Sequence, residues 1–177
     1  ISDDPKGEPV VVDNKNLFNT TGTEGEFIAQ NVIFKNAKSP FMQINASGIT
    51  LNNLILDGCK VPIASGGNFL NAFLGDDNLI DNIYLVDNKF EYYNWGTDFK
   101  ASRLFNLATG RNLSADIYIG NNVFYPTDKT YAINGTLLFM NTGEYNVANT
   151  ISIENNTFIN FVCNSQAMLR GVIKGRS

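Results

Sequence analysis

The strongest constraint on this chain is a repeat. The segments Ile83-Tyr84-Leu85-Val86-Asp87-Asn88-Lys89-Phe90, Ile117-Tyr118-Ile119-Gly120-Asn121-Asn122-Val123-Phe124 and Ile151-Ser152-Ile153-Glu154-Asn155-Asn156-Thr157-Phe158 share one pattern: apolar-x-apolar, a short spacer, Asn or Asp before Asn, any residue, then Phe. The interval from Asn88 to Asn122 equals that from Asn122 to Asn156. An earlier copy is read at Ile49-Thr50-Leu51-Asn52-Asn53-Leu54-Ile55-Leu56, which puts Asn53 almost the same interval before Asn88. Going further back the steps shorten: Asn31 precedes Asn53 by the same smaller interval that separates Val10 from Val32. A weaker track runs between the copies through Phe69-Leu70, Arg103-Leu104-Phe105 and Leu137-Leu138-Phe139.

Each copy contains apolar residues in alternation over a few positions, the period and length of a strand. A short strand, a sharp turn and another strand have no way to bury an apolar face alone, whereas copies stacked at strand spacing bury a continuous core. The shorter interval, about 22 residues, suits one turn of a parallel β-helix, and the longer one, about 34, suits such a turn carrying a loop of roughly 12 residues. We therefore expect an all-β fold, a single-stranded right-handed parallel β-helix of about five to six coils with ~12-residue loops on the later ones, the hand following the strong preference of parallel crossovers. The domain spans residues 10–177 and residues 1–9 are a linker. A β-sandwich would show no fixed period, and the Leu spacing of leucine-rich repeats is missing.

In-register stacking predicts two columns. Ile33, Ile55, Phe90, Phe124 and Phe158 form a core stack, and Asn31, Asn53, Asn88, Asn122 and Asn156 form a ladder at the bend, where Asn tolerates left-handed backbone and can bond to the next Asn. The ladder accounts for the 26 Asn of the chain without a catalytic role.

Composition narrows function by exclusion. The chain has no His, which removes His-based triads and His metal sites. A net charge of −4 argues against a nucleic-acid surface. No apolar run is long enough for a membrane helix. Cys59 and Cys163 fall about three coils apart, roughly 14 Å at ~4.8 Å per coil, which exceeds the ~7 Å limit for a bridge. Two free thiols are expected. The chain begins without Met, and its last residues read as an interrupted strand, so we expect a piece of a longer protein with neighbouring modules.

The segment Ile151-Ser152-Ile153-Glu154-Asn155-Asn156-Thr157-Phe158-Ile159-Asn160-Phe161 resembles the coil signature of pectate-lyase-like right-handed parallel β-helices. With its long loops and Phe, it is similar to uncharacterised β-helix domains of secreted or surface lipoproteins of gut bacteria. The resemblance implies a location that is extracellular, periplasmic or at the cell surface, and a role in polysaccharide handling. Arg170 and Lys174 follow the last coil broadly where the alginate- and chondroitin-lyase branch carries a basic pair, but their flanking residues do not match that branch.

Glu91-Tyr92-Tyr93-Asn94-Trp95-Gly96-Thr97-Asp98-Phe99 holds the one Trp and two of the seven Tyr. Aromatic faces with polar edges suit sugar rings. The candidate binding residues are Tyr92, Tyr93 and Trp95, with Lys100 and Arg103 as nearby cations. Other basic candidates for β-elimination are Arg111 and the Arg170–Lys174 pair. Asp76-Asp77-Asn78 could hold Ca²⁺ with oxygen ligands, though without a defined loop spacing; no other cofactor or metal is expected. The expected function is a non-catalytic secreted or surface domain that binds or displays polysaccharide. The alternatives are a fragment of a polysaccharide lyase or glycoside hydrolase acting on acidic polysaccharide, and a protein-binding adhesin.

Overall fold

A computed structural model gives the tertiary arrangement; it describes residues 9–13, 18–19, 24–35, 41–44, 50–64, 67–73, 79–93, 102–108, 116–128, 130, 132–141, 150–162 and 169–170. The described chain is all-β, without helix, and every strand pairing in it is parallel. Three sheets share the strands in rotation from β1 to β17. Sheet I contains Val10–Asp13 (β1), Val32–Lys35 (β4), Lys60–Ala64 (β7), Lys89–Tyr93 (β10), Val123–Pro126 (β13) and Thr157–Phe158 (β16). Sheet II contains Phe18–Asn19 (β2), Met42–Ile44 (β5), Asn68–Phe73 (β8), Ser102–Ala108 (β11) and Ile133–Asn141 (β14), on which both Phe161–Val162 (β17) and Leu169–Arg170 (β18) pair. Sheet III contains Glu24–Gln30 (β3), Thr50–Asp57 (β6), Leu79–Val86 (β9), Asp116–Gly120 (β12) and Thr150–Glu154 (β15). From β1 to β17 each pairing joins strands three places apart in the chain, the connectivity that stacked coils require, and β18 alone pairs four places back, with β14.

The bend from sheet III into sheet I repeats most faithfully. Asn31, Asp87, Asn121 and Asn155 have φ between 50° and 56°, and Gly58 has φ 62°. These left-handed positions turn the chain within one or two residues, and Asn, Asp and Gly occupy that region at least cost. The N–H groups of Asn31, Gly58, Asp87 and Asn121 bind the following repeat, as in Asn31 N to Asp57 O at 2.9 Å and Gly58 N to Val86 O at 3.0 Å.

The residue after the bend carries the ladder. Asn122 and Asn88 are fully buried polar side chains. The Asn122 Nδ2 group donates to Leu85 O (2.8 Å) and to Asn156 Oδ1 (3.0 Å), while its Oδ1 accepts from Asn88 N (2.9 Å) and Asn88 Nδ2 (3.0 Å). That amide therefore satisfies all of its hydrogen-bonding capacity inside the core, which burial demands.

Asn31 and Asn53 stand outside this column, contrary to the sequence expectation. Asn31 is the left-handed bend residue itself, one position early. Asn53 lies on β6 in sheet III, paired with Glu26 and Asn82. The ladder place in that coil belongs to Cys59. Its N–H donates to Asn88 Oδ1 (2.9 Å), and its thiol donates to Ala29 O (3.3 Å), as the Asn amides do to Leu56 O and Leu85 O. Coil length explains the slip. Partners on adjacent coils are separated in sequence by 27 from Gln30 to Asp57, by 29 from Cys59 to Asn88, and by 34 from Asn88 to Asn122 and from Asn122 to Asn156. The first step, from Val10 to its partner Val32, is shorter still. Loop length varies between coils while the core turn does not, so counting back in equal steps lands on the wrong Asn pair.

The same shift moves two members of the core stack. Phe90, Phe124 and Phe158 are in register and stack with ring centroids 4.9 Å apart and planes 7° apart. Ile33 instead pairs with Lys60 on the outer side of sheet I, half-buried, while its neighbour Phe34 points inward. Ile55 is half-buried on the outer side of sheet III, between Leu54 and Leu56, both wholly buried. A one-residue displacement in a strand exchanges the two faces. From sheet II, Phe69 packs edge-on to Phe90 of sheet I (5.7 Å) and to Phe105 of its own sheet (6.0 Å).

Candidate glycan-binding face

Strand alternation places every second residue of sheet III outside, and parallel register lines these residues up across coils. The central outer column is Ile28, Ile55, Tyr84, Tyr118 and Ser152. Ile28, on the edge strand β3, is 47% exposed, and Tyr84, on the central strand β9, is 37% exposed. The two Tyr rings are neighbours, with centroids 6.3 Å apart and planes tilted by 42°.

Gly120 shapes this pair. A Cβ there would lie 2.5–2.6 Å from the Tyr118 ring and hydroxyl, so that ring lies along the strand over a position where any side chain would displace it.

Polar columns flank the stripe. On one side are Glu26, Asn53, Asn82, Asp116 and Thr150. Asn53 Nδ2 donates to Glu26 Oε1, Asn82 Nδ2 to Asn53 Oδ1 (3.1 Å), and Thr150 Oγ1 to Asp116 Oδ1 (2.7 Å). On the other are Gln30, Asp57, Val86, Gly120 and Glu154, with Gln30 Nε2 donating to Asp57 Oδ2 at 3.3 Å. Hydrogen bonds orient the first column along the whole stripe and the second at Gln30 and Asp57, while Val86 and Gly120 of the second column lie level with the rings.

Sheet I carries a different cluster on its outer side. Lys60 Nζ lies 2.8 Å from Glu91 Oε2, and that bond raises the Lys60 pKa above its ordinary value. Tyr125 joins them, its phenol pushed up by burial and by the Glu91 charge. With Lys60 38% exposed, this is a surface ion pair of small energetic weight.

The candidates named from the sequence fare differently. Tyr92 is wholly buried, 6.2 Å edge-to-face from Phe161, and burial pushes its phenol far above the usual range. It shares the inward side of β10 with Phe90, two residues earlier, so it is a core residue and presents no face to a sugar. Tyr93 is half-buried on the opposite side of that strand. Arg103 lies in β11, paired with Asn68 and Thr136. Arg170 lies in β18. Trp95, Lys100, Arg111, Lys174, Cys163 and Asp76-Asp77-Asn78 lie outside the described residues. Cys59 is buried with a free thiol, its pKa raised by burial. Among the described residues no His, Cys, Asp and Glu side chains cluster to hold a metal, and no helix is long and apolar enough to cross a membrane.

Tyr84 and Tyr118 were legible in the sequence as matching positions of two repeat copies, each between inward apolar residues. A search for dense aromatic runs passes over them, because they are adjacent only across coils. No family model matches the chain, and neither a curated protein nor a solved structure does.

Proposed function

We propose that this chain is a right-handed, pectate-lyase-like parallel β-helix from a secreted or cell-surface protein, and that it binds polysaccharide without cleaving it. The rotation of strands through three parallel sheets supports the coil, and parallel crossovers favour the right hand. The resemblance of Ile151–Phe161 supports a location at or outside the cell surface. The observation that carries the binding reading is the Tyr84–Tyr118 pair on a sheet surface, Tyr84 exposed and Tyr118 half-buried, with Asn82 and Asp116 of the polar column beside them. Tyr rings offer a rigid apolar face to the C–H side of a sugar at low entropic cost, and flanking carboxylates and amides accept or donate to its hydroxyls.

The test is affinity electrophoresis or pull-down on a panel of polysaccharides, comparing the wild-type chain with a Tyr84→Ala/Tyr118→Ala variant. Retention of the wild type and loss of about tenfold or more in the variant, with an unchanged far-ultraviolet circular dichroism spectrum, is the expected result. Equal retention of both proteins would end this reading. Release of unsaturated products absorbing in the ultraviolet from uronate polymers would contradict its non-catalytic part.

A further inference from the structure

The charge pattern around the tyrosines narrows the ligand, and this deepens the binding reading on which it rests. The five strands of sheet III contain Glu24, Glu26, Asp57, Asp81, Asp116 and Glu154 and neither Lys nor Arg. The whole chain has a net charge of only −4. Lysines lie round the bend instead: the strands of sheet I hold Lys35, Lys60 and Lys89 against Asp13 and Glu91. Charge is thus segregated by sheet, and the tyrosines lie on the anionic side.

We infer that the ligand of the sheet III face is an uncharged polysaccharide with flat, C–H-rich sugar faces, such as a β-linked glucan, and that acidic polysaccharides are rejected there. Three observations lead to this class. The stripe of Ile28, Ile55, Tyr84 and Tyr118 crosses four successive coils, a linear apolar track suited to a chain of sugar rings. The flanking groups are mainly carboxylates and amides, good partners for neutral hydroxyls. Asp116 lies beside Tyr118 on one side of the stripe, and Asp57 and Glu154 lie on the other side one strand before and one strand after the rings, with Val86 and Gly120 level with the rings themselves, so a uronate or sulfate on the track meets like charge along its length with no described cation of sheet III to offset it. The absence of a side chain at Gly120 leaves room for the Tyr118 ring to lie along the strand and continue the track.

The experiment uses the full chain on immobilised β-glucan, polygalacturonate and chitosan, at low salt and at about 1 M salt, where screening shrinks to roughly 3 Å. Two variants accompany it: Tyr84→Ala/Tyr118→Ala, and Asp57→Asn/Asp116→Asn/Glu154→Gln. The expected result is retention on glucan that changes less than about twofold with salt and falls about tenfold in the tyrosine variant. Polygalacturonate retention is expected only from the charge-neutralised variant. Wild-type retention on polygalacturonate through the tyrosines would overturn the ligand class while leaving carbohydrate binding standing. Retention on chitosan alone, abolished by salt, would overturn it in favour of plain charge attraction. No retention on any polymer, or a light-scattering dimer dispersed by the tyrosine variant, would overturn both the class and the binding reading.

Discussion

At the scale of single residues, the ladder shows how few positions decide whether the coil closes its bend. Asn122 makes four hydrogen bonds with one amide. Asn122→Ala leaves Asn88 N, Asn88 Nδ2 and Leu85 O without those partners, and each orphaned group costs about 1–3 kcal/mol. A loss of roughly 3–5 kcal/mol in urea unfolding is expected, at the upper end for point substitutions. Cys59 fills the same slot with a thiol that both accepts from the Val32 backbone and donates to Ala29 O. Its burial has a consequence for pH. The folded thiol titrates above its unfolded value, so the stability it contributes is complete below the ordinary thiol range and is lost as pH rises through the raised folded pKa. Denaturation midpoints of the wild type should therefore fall on the alkaline side more than those of Cys59→Ser, and the native thiol should resist a disulfide reagent until urea unfolds the chain.

For the individual elements, the bends between sheets III and I are interchangeable parts with one backbone requirement. Asn121 holds φ 55°. Replacing it with Val forces a β-branched residue into the left-handed region and should cost about 1–3 kcal/mol, whereas Asn121→Gly should stay within about 0.5 kcal/mol of wild type. Thermal unfolding of the pair separates a backbone requirement from a side-chain one: equal losses in both would mean that the Asn121 side chain carries the effect. The aromatic stack is the second element-scale device. Phe124 lies between Phe90 and Phe158, 4.9 Å from each, and is wholly buried. Phe124→Ala should cost about 3–5 kcal/mol, because the stacked rings on both sides hold the cavity open. The repeat motif made the Asn88–Asn122–Asn156 and Phe90–Phe124–Phe158 columns visible in the sequence, since all three copies keep one spacing. Asn31, Asn53, Ile33 and Ile55 fall elsewhere because the intervening steps of 27 and 29 residues follow from loop lengths, on which no local pattern reports.

On the scale of the whole molecule, each described strand pairs chiefly with the equivalent strands of the repeats before and after it, so stability is nearly a sum of stacked units. Lys89 and Val123 occupy the same place in successive coils. Deleting residues 89–122 joins Asn88 to Val123 and removes one repeat while keeping the register of the strands on either side. The shortened chain should fold with a β-type circular dichroism spectrum and a lower denaturation midpoint. A disordered product would contradict the stacked-coil architecture. The same modularity explains the outer face of sheet III, where residues from separate coils meet only because the register aligns them.

The amino-acid sequence alone was enough to specify strand period, repeat, the residues able to bend the chain and the exclusion of histidine chemistry, because alternation, left-handed tolerance and residue type are local properties. Which residues share a column depended on the tertiary structure. Register is set by packing across coils whose loops differ in length, and that packing put Cys59 into the Asn ladder, turned Tyr92 into the core and brought Tyr84 beside Tyr118 on the surface.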